Sequence, residues 1–198
     1  ASLDSPLYAL LNVRYLLCVK PLRHPDYEPV DVPGTLLLYR LKDEKLLPRT
    51  FMVSRLTPVA DLNQAIDELK SGRIDVRHQA VVQAGATELP NLVTANPGPP
   101  GTARIVDYRA TRVRIETNAP TRQLLVLSDM NYPGWRAYVD GEPAPVLATN
   151  GIFRGVSVAE GVHTVEFRFS PDRFRIGAVL ALVCLASLIL ATLLDGRT

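Results

Sequence analysis

The chain has 198 residues, 47% of them hydrophobic, with 22 basic and 20 acidic side chains and a net charge of +2. Scattered charges of both signs exclude the clustered basic face that a nucleic-acid partner requires. The two cysteines, Cys18 near the start and Cys184 near the end, exclude a disulfide framework, and the length suffices for one large or two small cores.

The opening run Leu7 to Val19 is broken by Asn12 and Arg14, so it reads as neither a signal peptide nor a membrane span. Val13–Val19 and Thr35–Leu41 read as apolar strands, separated by a loop carrying Pro21, Pro25, Pro29 and Pro33, where missing donors block regular pairing. Phe51–Leu56 is a third strand. Leu62, Ala65, Ile66 and Leu69 then fall at helical spacing, with Asp61 as N-cap, Gln64 completing a capping box and Gly72 just past the end. Ala80–Gln83 is a further short strand. The six residues Asn96 to Gly101, NPGPPG, are turn formers throughout and mark a linker or loop.

Beyond that segment the chain reads as a β meander: Arg104–Tyr108, Arg112–Thr117, Gln123–Ser128, Trp135–Val139, Ala144–Thr149, Ile152–Val158 and Val162–Phe169. Pro133-Gly134 suits a type II turn, while Asp140-Gly141 and Asn150-Gly151 suit tight hairpins whose two central residues take positive φ. Alternation puts Trp135, Ala137 and Val139 on one face with Val165, Phe167 and Phe169, and turns Arg112, Arg114, Glu116, Glu166 and Arg168 the other way.

Ile176 to Leu194 holds no charged residue and is apolar on all sides. At about 19 residues and about 1.5 Å each it is long enough to cross a hydrocarbon core of about 30 Å. A buried core helix would keep a polar stripe. The expected fold is therefore mainly β, α+β overall. It comprises a small N-terminal α+β portion over 1–95, the linker or loop over 96–101, an antiparallel, jelly-roll-like β-sandwich over 102–170 and one transmembrane helix over 176–194.

Chemistry-bearing residues are sparse. His24, His78 and His163 stand far apart, none at metal-ligand spacing with a second ligand, and His163 sits at a hairpin rim. No metal or cofactor is expected, and no phosphate-cradling loop or serine elbow is present. A general acid–base pair could be drawn from Asp129, Asp140 and Glu142, yet carboxylates near turns serve backbone purposes. No catalytic residue is assigned. Ser128 to Trp135, SDMNYPGW, is richer: it gathers two aromatics and two hydrogen-bonding side chains at one turn, a surface on which a sugar ring could stack. Asn131, Tyr132, Trp135 and Tyr138 are the candidate ligand-binding residues. The alternation of Trp135 with Ala137 and Val139 favours a core anchor for that side chain.

The run Leu125 to Gly141, with Asn131-Tyr132-Pro133-Gly134-Trp135 followed by Tyr138-Val139-Asp140-Gly141, resembles the C-terminal signature of the YfhO family of bacterial polytopic membrane proteins. Leu11-Asn12-Val13-Arg14-Tyr15, Leu47-Pro48-Arg49, Asn150-Gly151 with Phe153-Arg154, Gly161 with His163, and Ser170-Pro171 before the last apolar segment keep the same order. The resemblance implies a glycosyltransferase-like parent using polyprenyl-phosphate sugars to decorate cell-envelope glycans, with further membrane segments upstream. It places this β domain on the extracytoplasmic side of the plasma membrane as a non-catalytic accessory region, whose partners are the bilayer, those upstream segments and an envelope glycan or lipid-linked sugar. The parent's catalytic loop lies elsewhere. By charge alone, Arg173 and Arg175 before the apolar segment and Arg197 after it favour the opposite orientation. The alternative class is a single-span carbohydrate- or protein-binding module.

Overall fold

The computed structural model describes residues 6–84, 92, 98–171, 177 and 180–187. Its elements are α1 (Pro6–Leu10), β1 (Tyr15–Cys18), β2 (Tyr27–Val30), β3 (Leu37–Leu41), β4 (Thr50–Val53), β5 (Arg55–Val59), α2 (Leu62–Lys70) and β6 (Gln79–Gln83). These are followed by β7 (Thr102–Arg109), β8 (Arg112–Ala119), β9 (Gln123–Met130), β10 (Trp135–Val139), β11 (Glu142–Ala144), β12 (Leu147–Thr149), β13 (Phe153–Val158) and β14 (Gly161–Phe169). The fold is mainly β and sandwich-like, as the alternating sequence requires.

Two sheets enclose the inner core. The five-stranded antiparallel sheet has the order β11-β10-β14-β8-β7, and the six-stranded sheet the order β4-β9-β13-β12-β6-β5. Val113, Ile115, Ala137, Val165 and Phe167 of the first meet Met52, Leu125, Leu127, Val156 and Val158 of the second. The other face of the six-stranded sheet carries Phe51, Val53, Leu124 and Val126, covered by Leu10 of α1 and by Ala65 and Leu69 of α2. This explains a contrast in the sequence. A strand buried on both faces reads as an unbroken apolar run, as Leu124 to Leu127 does, whereas the outward face of β8 is wet and its sequence alternates.

Helix α2 begins as expected: the Asp61 carboxylate accepts from Gln64 N at 2.9 Å, and Gln64 Oε1 reaches back to Ala60 N at 2.7 Å. The two predicted tight hairpins also form, with φ of 53° and 90° at Asp140 and Gly141 and 48° and 87° at Asn150 and Gly151.

Several expectations are corrected. The strand expected over Phe51–Leu56 is two strands parted by Ser54, β4 pairing antiparallel with β9 and β5 parallel with β6. Because β4 and β5 are consecutive yet stand at opposite ends of their sheet, the sheet curls until its ends meet through one bent chain. The strand expected over Ala144–Thr149 also divides: β11 pairs with β10 and β12 with β13, so the chain changes sheets around Pro145, which has no N–H to keep a ladder going. The proline-rich loop contains β2, whose Pro29 is tolerated because β2 is the edge of the three-stranded sheet β1-β3-β2. That sheet packs around Tyr27, Tyr39 and Leu41. Strands from both sides of the 96–101 segment, β4 to β6 before it and β9, β12 and β13 after it, form one sheet.

Of the expected spanning segment 176–194, Gly177 and 180–187 are described and helical, and the remainder lies outside the described residues. No helix among the described residues is long and apolar enough to cross a membrane.

Candidate functional site

A β-bulge builds the most unusual side-chain cluster. On β13 Phe153 opposes Met130 of β9, but the next residue, Arg154, opposes Leu127, which leaves Ser128 and Asp129 without partners across the ladder. Such an insertion bends a strand and re-aims its side chains. Ser128 N donates instead to Arg49 O at 2.8 Å. The Asp129 carboxylate accepts from Arg49 Nη1 at 2.7 Å, from Arg154 Nη2 at 3.0 Å and from the Tyr108 hydroxyl at 3.0 Å.

Arg154 is 1% exposed, in a strand that is otherwise apolar or small. Its guanidinium carbon lies 3.7 Å from the centroid of the Trp135 ring and 5.3 Å from that of Phe167. Burial lowers its pKa, opposed by the Asp129 charge and hydrogen bond. Nε and Nη1 have no protein acceptor among the described residues, so one ion pair and two aromatic faces carry the desolvation of this cation. Tyr108 is pushed up by burial and by its bond to Asp129. Arg49 feels burial first, which lowers it, but its bonds to Asp129 and Tyr108 leave it raised overall.

The sequence candidates fall in two places. Asn131, Tyr132 and Trp135 lie together at one turn: Asn131 N donates to Ile152 O at 2.6 Å, and Trp135 N to Tyr132 O at 3.3 Å. Tyr132 is exposed, its ring 6.5 Å from Phe169, which lies 5.3 Å from the Trp135 ring. Trp135 is half-buried, with Arg154 against its indole face. Tyr138 lies apart, beneath Arg168 at 4.6 Å on the outer side of the five-stranded sheet.

Asp129 does not converge with the other two carboxylates. Asp129 and Asp140 flank opposite ends of β10, whose five residues span about 16 Å, beyond the carboxyl spacing of about 5–9.5 Å used by glycosidases. Asp140 accepts from His163 Nδ1 at 2.5 Å and Thr164 N at 2.8 Å, which clips β10 to β14; Glu142 is exposed on β11. Among the described residues no three His, Cys, Asp or Glu side chains form a metal-ligand set.

Sequence reasoning singled out Asp129 and Trp135 but missed Arg49, Tyr108 and Arg154. A signal for the ion pair existed. Arg154 shares the inward parity of Val156 and Val158, and Asp129 that of Leu125 and Leu127, so opposite charges stood at two positions reserved for apolar side chains. A separate depression of about 460 Å³ brings Asn12 and Arg14 against Leu46, Leu47 and Pro48, with Arg14 bonded to Asp43 at 3.3 Å.

No curated protein and no solved structure gives a significant match to this chain. The family described as Bacterial membrane protein YfhO matches residues 67–181, from helix α2 through the whole β meander and into the apolar segment, and the chain belongs to that family.

Proposed function

We propose that this chain is the extracytoplasmic, non-catalytic accessory region of a glycosyltransferase-like membrane protein acting on cell-envelope glycans, with residues 176–194 crossing the bacterial plasma membrane. The observation that carries the reading is the turn at Asn131, Tyr132 and Trp135. An exposed aromatic, a half-buried indole and an amide share one turn, which is the composition that stacks on and hydrogen-bonds to a sugar. Membership in a family of bacterial membrane proteins supports the membrane setting. Asp129 is engaged by two arginines and Asp140 by His163, which supports a binding rather than a hydrolytic role. Trp135 is the only tryptophan, so its emission reports directly on the turn.

The test is to titrate the full chain in detergent with envelope polysaccharide and with a polyprenyl-phosphate sugar. The expected result is a change in Trp135 emission that Tyr132→Ala abolishes without lowering the melting temperature. An unchanged emission with both ligands overturns the glycan-binding reading. Turnover by the chain alone that disappears in Asp140→Asn or Glu142→Gln replaces it with an enzyme.

A further inference from the structure

We infer that the end of the sandwich from which the chain leaves for its apolar segment is a bilayer-docking surface that binds anionic phospholipid headgroups through Arg109, Arg112 and Arg168. The inference rests on the proposed membrane segment.

Two loops are tied to the exit point. Ser170 N donates to Gly134 O at 2.7 Å, and Phe169 N to Thr111 O at 2.8 Å, so the β9–β10 turn and the β7–β8 hairpin flank the last residues of β14. The clamp is tight: a Cβ on Gly134 would lie 3.0 Å from the Phe169 ring and 3.2 Å from Pro171. Five residues separate Pro171 from Gly177, so a surface that takes in the apolar segment lies close to these loops.

Their composition suits a membrane interface. Met130 and Tyr132 are each 61% exposed and Tyr108 is 52% exposed, with Trp135 half-buried behind them. Aromatic rings with one polar tip collect at headgroup depth, and arginines reach from there to phosphates. The charge presented is cationic even though ion pairs are present. Asp107 and Glu166 lie beneath their partners at 26% and 10% side-chain exposure, while Arg109, Arg112 and Arg168 stand out at 69%, 37% and 51%. Two sunken carboxylates therefore leave an outward layer of guanidinium groups. Further along the chain, Leu180, Leu182, Val183 and Leu185 are helical and exposed, an apolar surface that nothing among the described residues covers.

The test uses the full chain reconstituted in vesicles of zwitterionic phosphatidylcholine, with and without anionic phosphatidylglycerol, carrying a headgroup nitroxide quencher. The expected result is that the chain floats with the vesicles and Trp135 is quenched more strongly when phosphatidylglycerol is present. Arg109→Gln should lower the docked-to-undocked ratio about fivefold, the loss of one cation near an anionic surface. Arg104→Gln, some five residues and about 17 Å further along β7, should leave it unchanged. A Trp135→Phe/Val162→Trp variant moves the probe about 23 Å along β14 to an exposed position at the far end and should not be quenched. A chain that fails to float overturns both the membrane segment and the docking surface. A chain that floats with Trp135 unquenched overturns the docking surface alone. Quenching indifferent to phosphatidylglycerol and to Arg109, with Trp135 responding instead to a soluble acidic polysaccharide, reassigns the arginines to a polymer.

Discussion

The guanidinium of Arg154 lies 3.7 Å from the Trp135 ring centroid and 3.0 Å from Asp129, so the tryptophan that packs against the apolar core also roofs a buried ion pair. The arrangement joins the two sheets at the end of the sandwich: Arg154 and Asp129 come from the six-stranded sheet, Trp135 and Phe167 from the five-stranded one.

Removing one partner of that pair strands the other. Asp129→Ala leaves a cation in a site closed to water, and the expected destabilisation is about 3–5 kcal/mol by urea melting. The double variant Asp129→Leu/Arg154→Met removes both charges and should recover most of the loss. A double variant no more stable than Asp129→Ala would show that the bulge geometry, rather than the charge, depends on these side chains.

Truncating Trp135 uncovers the guanidinium as well as opening a cavity. Trp135→Ala should cost about 3–5 kcal/mol, while Trp135→Phe retains an aromatic face and should cost well under half of that. Equal melting of the two variants would remove the aromatic contact with Arg154 from the account.

Asp140 and His163 make stability depend on pH. The hydrogen bond to Asp140 raises the His163 pKa above 6.5, and the bonds from His163 and Thr164 N lower that of Asp140 below 3.8. The histidine contribution is complete below 6.5 and fades as pH rises through the raised value, whereas the aspartate contribution is complete above 3.8 and fades as pH falls through the lowered one. The clip is at full strength between these limits. Thermal melts of wild type should therefore decline as pH rises above 6.5, and His163→Ala should flatten that decline. An unaltered slope in the variant assigns the decline to other groups.

Gly101 is held by contact with backbone rather than by a turn. A Cβ there would lie 2.9 Å from Ala119 Cα and 2.5 Å from Asn118 O, and no flexible side chain can yield. Gly101 N also donates to Gln123 Oε1 at 2.8 Å, and Gln123 is wholly buried. Gly101→Ala should destabilise by about 1–3 kcal/mol, read from the urea midpoint. Gly141→Ala meets no atom within 4 Å, so its loss should reflect only the positive φ and be the smaller.

What the sequence determined alone was local. Asp140-Gly141 and Asn150-Gly151 specify their own hairpins, Asp61 and Gln64 their own cap, and the alternation of Arg112 to Thr117 its own wet and dry faces, because each depends on backbone preferences within a few residues. The Asn131-Tyr132-Pro133-Gly134-Trp135 turn was legible for the same reason. Only the tertiary structure decided that residues 50–59 form both ends of one curled sheet, that Leu147–Thr149 leaves the sheet of Glu142–Ala144, and that Asp129 meets Arg49, Tyr108 and Arg154 from sequence separations of 80, 21 and 25 residues. Strand order and the pairing of buried charges depend on which distant surfaces exclude water together. That is a property of the assembled layers rather than of any stretch of chain.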